Sequence, residues 1–177
     1  MGAPEAKAPR VGTRGWTIPA STERRRASVY ARPDRRVGVT DELIEAARSA
    51  LDAAYVPYSD YTVGAALRTA DDTVFTGCNI ENANYSNSLH AEEVAIAEAV
   101  KNGHRKFDRL AVTSGVRDGV TPCGMCRQTL AEFCDDDLPV VCDEGGESTT
   151  TYTLGELLPE TIGPETLELA KHSNKTE

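Results

Sequence analysis

The chain has 177 residues, of which 40% are hydrophobic and 27% charged, and its formal net charge is −9 at pH 7. This length and composition are typical of one globular domain with short extensions. No stretch reaches the roughly 20 apolar residues that a membrane helix requires. The N-terminus contains arginines but not the apolar region of a secretory signal. A membrane partner and secretion are therefore not expected.

Charge is divided unevenly along the chain. Residues 1–36 contain nine Lys or Arg against three Asp or Glu, whereas the rest contains ten basic and 25 acidic residues. A strongly acidic domain repels a nucleic-acid backbone but is indifferent to a neutral small molecule. Binding of nucleic acid by the acidic domain is therefore disfavoured. Only the basic N-terminal segment leaves nucleic-acid binding as an alternative.

Composition divides the chain into three predicted segments. Residues 1–38 contain four prolines and an arginine triplet without helical or strand periodicity, and we predict a disordered basic arm. The alternative is that translation of the native product begins at Val37 or Val39. A folded domain is expected over residues 39–162, followed by a polar tail over 163–177.

Within this domain the hydrophobic period changes repeatedly between that of helices and that of strands. The pattern predicts a helix over 41–55, strands over 62–69 and 73–80, a helix over 89–101 with Ser88 as its N-cap, a strand over 110–114, a helix over 124–133, a strand over 138–142, and a strand with a short helix over 152–158. Intermixed strands and helices indicate an α/β sandwich around a mixed sheet.

Two short motifs contain the residue types that bind zinc, His90-Ala91-Glu92 and Pro122-Cys123-Gly124-Met125-Cys126. Catalytic zinc sites use three nitrogen or sulfur ligands and leave the fourth position to water. Cysteines three positions apart face the same way on the first turn of a helix, where the helix dipole stabilises thiolates. We therefore predict Zn²⁺ as the cofactor, with His90, Cys123 and Cys126 as its ligands.

The glutamate of the first motif, Glu92, is the predicted catalytic residue. It follows His90 by two positions and is expected to point past the metal toward the open site. A carboxylate there can accept a proton from zinc-activated water and return it to a leaving amine. The alternative is a structural zinc site, in which Cys78, Cys134 or Cys142 would supply a fourth ligand.

Together with three further segments, these motifs resemble the short-chain type of the cytidine deaminase family. The matching segments are, in order, Val56-Pro57-Tyr58-Ser59, Val63-Gly64-Ala65-Ala66-Leu67, Gly77-Cys78-Asn79-Ile80-Glu81-Asn82-Ala83, His90-Ala91-Glu92 and Pro122-Cys123-Gly124-Met125-Cys126-Arg127-Gln128. The resemblance covers the whole predicted domain. It implies a three-layer α/β/α sandwich with a mixed five-stranded sheet.

The resemblance also implies roles in substrate binding. Asn79 and Glu81 would hold the ribose hydroxyls. Tyr61 would line the base pocket, at a position where Phe is commoner in the family. Ala91 would offer backbone polar groups to the base.

Two positions depart from the commonest short-chain pattern, which is three cysteines with an arginine after the catalytic glutamate. Here His90 replaces one thiolate, and Glu93 stands in the place of the arginine. Two thiolates already neutralise Zn²⁺, so that the arginine is less necessary and we expect Glu93 to face solvent. Arg127 and Gln128 are expected either to donate hydrogen bonds to the thiolates or to lie on the helix surface.

The activity implied by the resemblance is zinc-dependent hydrolysis of cytidine and deoxycytidine to uridine and deoxyuridine in pyrimidine salvage. A cytoplasmic homotetramer, with sites completed by neighbouring subunits, is implied as well. The alternatives are a deaminase of another aminated nucleoside, such as an antibiotic nucleoside, a deaminase of cytosine in nucleic acid, and a non-catalytic zinc-stabilised nucleoside-binding protein.

Overall fold

The computed structural model describes residues 37–38, 41–164 and 166. The predictions for the arm before residue 37 and for most of the C-terminal tail fall outside these residues. The described elements are, in chain order, β1 (Val37–Gly38), α1 (Glu42–Ala50), β2 (Val63–Thr69), β3 (Val74–Cys78), α2 (Ala91–Lys101), β4 (Phe107–Ser114), α3 (Gly124–Leu130), β5 (Pro139–Asp143), β6 (Ser148–Thr153) and α4 (Leu154–Leu157). Short 3₁₀ turns lie at Leu51–Ala53 and Tyr85–Asn87.

A mixed sheet forms the centre of the domain, with the strand order β1-β6-β5-β4-β2-β3. β4 and β5 run parallel, and the other neighbouring pairs are antiparallel. The predicted mixed sheet is therefore confirmed, with β1 as an additional edge strand. Val37 and Gly38 of β1 pair with Thr149 and Ser148 of β6. They are the two residues immediately before the predicted start of the domain at residue 39. Two residues are too few to show a strand period, which is why the sequence pattern did not mark them.

Helices cover both faces of the sheet, which confirms the three-layer α/β/α sandwich. The contact between α1 and its face is made by Leu43, Ile44, Ala47, Ala66, Ala111 and Val141. The larger core on the other face includes Ala65, Leu67, Ala91, Ala95, Ala99, Val112 and Leu130. Neighbouring residues of β2 thus pack into the cores on opposite faces of the sheet, because successive side chains of a strand point to opposite faces.

Two glycines let the helices lie close against the sheet. A Cβ at Gly64 in β2 would lie 2.1 Å from the carbonyl oxygen of Ala47 in α1. A Cβ at Gly77 in β3 would lie 2.2 Å from the carbonyl oxygen of Ala91, the first residue of α2. Any larger residue at position 77 would push the start of α2 outward. The close contact therefore fixes the height of this helix end above the sheet.

The start of α2 differs from the prediction. His90, not Ser88, is the N-cap residue of α2. Ser88 lies two residues before this N-cap, and its hydroxyl accepts a hydrogen bond from the backbone N–H of Asn82 at 3.1 Å. Leu89 also forms a β-bridge with Ile80, which keeps the chain extended up to His90. This local tertiary pairing is not visible in the helical periodicity.

A partly buried ion pair joins α1 to β5 on the face covered by α1. Arg48 donates to both carboxylate oxygens of Asp143 at 2.7 Å, and the Thr113 hydroxyl donates to the same carboxylate at 2.7 Å. Burial alone would raise the pKa of Asp143, but the hydrogen bonds from Arg48 and Thr113 outweigh it and hold that pKa below its ordinary value. The ionised carboxylate therefore stabilises the folded state.

We expect Asp143→Asn to lower the free energy of unfolding by about 2 kcal/mol at pH 7, since Arg48 loses its buried partner charge. Ionised Asp143 contributes its full stability above the unfolded-state pKa of about 3.9 and loses it as pH falls through the lower folded-state pKa. The difference between the two proteins should therefore shrink below about pH 4. Urea unfolding across pH measures this, with Asp137→Asn at an exposed site as the control. A difference independent of pH would contradict the assignment.

Candidate active site

Three ligand atoms converge where the first residues of α2 and α3 meet. His90 Nδ1 lies 3.2 Å from Cys126 Sγ and 3.2 Å from Cys123 Sγ, and the two sulfurs are 3.5 Å apart. His90 is the N-cap of α2 and Cys123 the N-cap of α3, while Cys126 lies in the first turn of α3. Two helix starts thus bring together residues that are 33 and 36 positions apart.

The donor set and its spacing fit a tetrahedral zinc ion. With Zn–S bonds of about 2.3 Å and Zn–N bonds of about 2.0 Å, ligand atoms lie roughly 3.5–3.8 Å apart. The observed triangle needs only a few tenths of an ångström of expansion. Among the described residues, no other His, Cys, Asp or Glu belongs to this group of potential ligand atoms. Cys78, Cys134 and Cys142 therefore do not supply the fourth ligand that a structural zinc site requires.

The electrostatics of the group call for a cation. Cys126 is fully buried, and burial, followed by the nearby Glu92 carboxylate, raises the pKa of its thiol. A buried thiolate beside a carboxylate is stable only when a positive charge compensates for it. A divalent ion held by the two sulfurs and the imidazole supplies that compensation.

Glu92 lies in the first turn of α2 and is only 4% exposed. Burial raises the pKa of its carboxyl group, although its own backbone N–H and Cys126 act in the opposite direction. The side chain lines the cavity next to the three ligand residues without belonging to their group. A buried carboxyl in this position can both accept and donate a proton.

The three ligand residues stand at the side of a cavity of about 430 Å³, a size that accommodates a small organic molecule. Of the eight predicted site residues, seven line it, namely Tyr61, Asn79, Glu81, His90, Ala91, Glu92 and Cys123. Cys126 is buried beside it. The sequence analysis assigned no role to the other lining residues, Ser59, Val63, Val112, Arg117, Val120 and Thr121. Ser59 and Val63 belong to segments that carry the resemblance and Val112 to a predicted strand, whereas Arg117, Val120 and Thr121 come from a loop, where no periodicity marks them.

Asn79 and Glu81 already have partners within the chain. The Asn79 side chain accepts from the N–H of Val63 at 2.9 Å and donates to the carbonyl of Tyr61 at 2.8 Å. Glu81 accepts from the Tyr58 N–H at 2.9 Å and the Ser59 N–H at 3.2 Å. The two residues therefore hold the cavity wall in shape, and each retains acceptor or donor capacity toward the cavity.

A sequence profile described as the cytidine and deoxycytidylate deaminase zinc-binding region matches residues 39–142. The cytidine deaminase of Sporosarcina psychrophila is 42% identical over 130 residues, which cover 73% of this chain and 96% of that protein. The chain belongs to the cytidine deaminase family. The enzyme from Halalkalibacterium halodurans is also 42% identical, over 66% of this chain and 89% of its own length.

Solved structures of the family have the same fold as this deaminase. The cytidine deaminase from Burkholderia pseudomallei superposes with a TM-score of 0.65 at 41% identity, covering 68% of this chain and 97% of that one. The enzyme from Mycobacterium tuberculosis gives a TM-score of 0.62 at 36% identity, over 69% and 95% of the two chains. Zn²⁺ is therefore the cofactor, as the matched zinc-binding region and the His-Cys-Cys group both indicate.

Glu93 does not simply face solvent, as the sequence analysis expected. It is half-buried, and its carboxylate accepts from the backbone N–H of His90 at 3.4 Å and from the Thr129 hydroxyl at 3.4 Å. The first contact is the backbone half of a capping box at the start of α2. A negative charge at a helix start is favourable, which explains why this deaminase tolerates Glu at a position where an arginine is common.

Arg127 contacts the backbone around the cysteines instead of their sulfurs. It donates to the Pro122 carbonyl at 2.6 Å, to the Leu157 carbonyl at 2.8 Å and to the Thr121 hydroxyl at 3.0 Å. Gln128 similarly donates to the Ile162 carbonyl at 2.8 Å. Arg127 therefore ties the loop that enters Cys123 to the end of α4, and it fixes the position of the two thiols indirectly.

No helix among the described residues is long and apolar enough to cross a membrane.

We expect Arg127→Ala to accelerate zinc loss by about 10- to 100-fold, because Thr121 and Pro122, just before Cys123, lose their hydrogen bonds to Arg127 and with them the link to the end of α4. Transfer of zinc to a chromogenic chelator measures the rate. Arg105→Ala, at an exposed site outside the cavity lining, serves as the matched control, and His90→Ala gives the limit for a missing ligand. Release at the wild-type rate from the Arg127 variant would refute this role.

Proposed function

We propose that the chain catalyses the hydrolytic deamination of cytidine and deoxycytidine to uridine and deoxyuridine, in pyrimidine salvage. The observation that carries this proposal is the buried carboxyl of Glu92 beside the His90, Cys123 and Cys126 group in a nucleoside-sized cavity. The named activity of the family members at 42% identity supports the same substrate class.

The three ligand residues and Glu92 have different roles in the reaction, metal binding and proton transfer. His90, Cys123 and Cys126 hold the zinc ion, which when bound supplies Lewis-acid activation of water. Glu92 takes the proton that water loses as its oxygen bonds to C4 of the pyrimidine, and passes this proton to ring N3. The second proton of the same oxygen follows through Glu92 to the 4-amino group. Ammonia then leaves and the C4 carbonyl of uridine forms.

The burial of Glu92 suits this shuttle. Desolvation disfavours the ionised form and raises its pKa, so that the carboxyl holds a proton long enough to deliver it.

The remaining predicted residues would recognise the nucleoside. Tyr61 would line the base, the backbone of Ala91 at the start of α2 would contact its polar edge, and Asn79 and Glu81 would bind the ribose. All four border the cavity. A neutral sugar requires donors and acceptors at fixed positions, and the internal hydrogen bonds of Asn79 and Glu81 supply that fixation.

We expect Glu92→Gln to retain zinc and the fold while kcat falls by about 10²- to 10⁴-fold, since the amide cannot accept the proton. The ultraviolet absorbance change of cytidine conversion measures activity, and metal analysis measures zinc content. Glu98→Gln, farther along the same helix and exposed, should leave both unchanged. Near-normal turnover by the Glu92 variant would end the proposal and favour a non-catalytic zinc-stabilised binding protein.

A homotetramer is the assembly that we propose, in a reducing cytoplasmic compartment. An aromatic and aliphatic patch lies beside the cavity, with Tyr55, Tyr58, Ile80, Tyr85 and Leu89 all 39% to 73% exposed. β-bridges join Tyr55 to Ile80 and Ile80 to Leu89, and the rings of Tyr58 and Tyr85 pack edge to face at 5.9 Å. A contiguous apolar patch of this kind favours contact with another subunit. The free thiols of Cys78 and Cys134 are compatible with a reducing compartment.

Light scattering should give a mass of four times the 19.1 kDa of one chain. We expect Tyr85→Asp to shift the enzyme toward smaller species, because a charge in the centre of an apolar contact is costly. Val74→Asp, an exposed apolar site outside the patch, is the matched control. A fully active species with the mass of one chain would contradict the tetramer.

A further inference from the structure

The turn between α1 and β2 brings one serine hydroxyl between two predicted substrate contacts. In this turn the N–H of Asp60 donates to the Val56 carbonyl at 3.2 Å, and Asp60 has a left-handed backbone with φ of 55°. Ser59, immediately before it, is exposed and lines the same cavity as Tyr61 and Glu81.

The hydroxyl of Ser59 has a defined orientation. Its oxygen accepts a hydrogen bond from the backbone N–H of Tyr61 at 3.0 Å, and its hydrogen is directed at Oε1 of Glu81. A serine hydroxyl has a single hydrogen to donate. The Ser59 oxygen therefore accepts from Tyr61, and its only hydrogen is donated to Glu81.

This contact completes the fixation of the Glu81 carboxylate. Oε2 accepts the two backbone N–H groups of Tyr58 and Ser59, whereas Oε1 is held by the Ser59 hydroxyl. Without that hydroxyl the carboxylate would keep its Oε2 anchor but could rotate about it. The same hydrogen bond is the main reason why the pKa of Glu81 is lowered, which keeps the group an acceptor for sugar hydroxyls.

We propose that Ser59 is a positioning residue for sugar recognition, whose hydroxyl aims the Glu81 carboxylate at the ribose hydroxyls of the substrate. The inference rests on the proposed function, in which Glu81 binds the ribose. Ser59 acts through Glu81 on a part of the substrate that does not react. Loss of the Ser59 hydroxyl should therefore weaken binding of the ground state and of the transition state equally, which raises KM while kcat stays the same.

The experiment compares cytidine with 2′,3′-dideoxycytidine, which lacks the 2′ and 3′ hydroxyls and keeps the 5′ hydroxyl. Ser59→Ala should raise KM for cytidine by about tenfold, the loss of one hydrogen bond to a charged acceptor. For dideoxycytidine the KM should change by less than about twofold, since the 2′ and 3′ hydroxyls that Glu81 would bind are absent. The conservative Ser59→Thr should restore most of the preference for cytidine. Ser49→Ala, whose hydroxyl bonds only the Glu45 carbonyl on α1, is the control and should match the wild type.

A double-mutant cycle tests whether the effect passes through Glu81. In a Glu81→Gln background, the further change Ser59→Ala should alter cytidine KM by less than about twofold. Equal effects of Ser59→Ala on both substrates, additive effects in the cycle, or an unchanged cytidine KM would each overturn the inference.

If Ser59→Ala lowers the melting temperature so far that its kinetics cannot be measured, Ser59→Cys takes its place. This variant keeps the side-chain size with a weaker hydrogen-bond donor, and it must show the same loss of preference for cytidine over dideoxycytidine, smaller in extent. Wild-type enzyme that deaminates neither nucleoside would refute the proposed function itself, a result distinct from those above.

Discussion

The site depends on holding three ligand atoms within 3.5 Å of one another on two separate helices. The first turn of α3 sets the spacing of Cys123 and Cys126, whereas the distance from both to His90 depends on how α2 and α3 pack on the sheet. Because Gly77 has no side chain, the backbone of Ala91 packs directly against β3. Any Cβ at position 77 would push the start of α2 away from the sheet, and His90 would move away from the cysteines with it. Arg127 performs the corresponding task on the other side by anchoring the backbone before Cys123. The metal site is thus a consequence of backbone packing as much as of ligand identity.

The charge balance around the ion explains the local sequence. Two thiolates and a neutral imidazole cancel the charge of Zn²⁺, so that no further cation is required beside the ligands. Glu93 is then free to cap α2, with its carboxylate near the His90 N–H, and to reach Thr129 on α3. These two contacts join the helices that carry the ligands. At a site with three thiolates, the same carboxylate would add to an existing negative charge and would be costly.

Strong local signals made the centre of the site predictable from the sequence, whereas the family resemblance indicated only part of its rim, including Tyr61, Asn79 and Glu81. Spacing and ligand chemistry alone give His90, Glu92, Cys123 and Cys126, and periodicity gives the strands and helices of the three layers. The start of α2 was misplaced because the pairing of Leu89 with Ile80 is a tertiary contact. The edge strand at Val37 and Gly38 is too short to leave a pattern. Cavity residues such as Arg117 and Thr121 come from a loop, where neither periodicity nor motif indicates which side chains turn inward.

The polar residues at the rim serve the fold and the cavity together. Asn79 joins the end of β3 to the backbone around Tyr61, and Glu81 fastens the turn at Tyr58 and Ser59. These bonds exist before any ligand arrives, so that little side-chain entropy remains to be lost on binding. A carboxylate held at both oxygens, as in Glu81, presents acceptors at fixed positions, to which the donor groups of a ligand would have to fit. The hydrogen bonds behind Asn79 and Glu81 thus fix the side chains that we propose for sugar recognition, and the partners in those bonds include residues of the turn before β2.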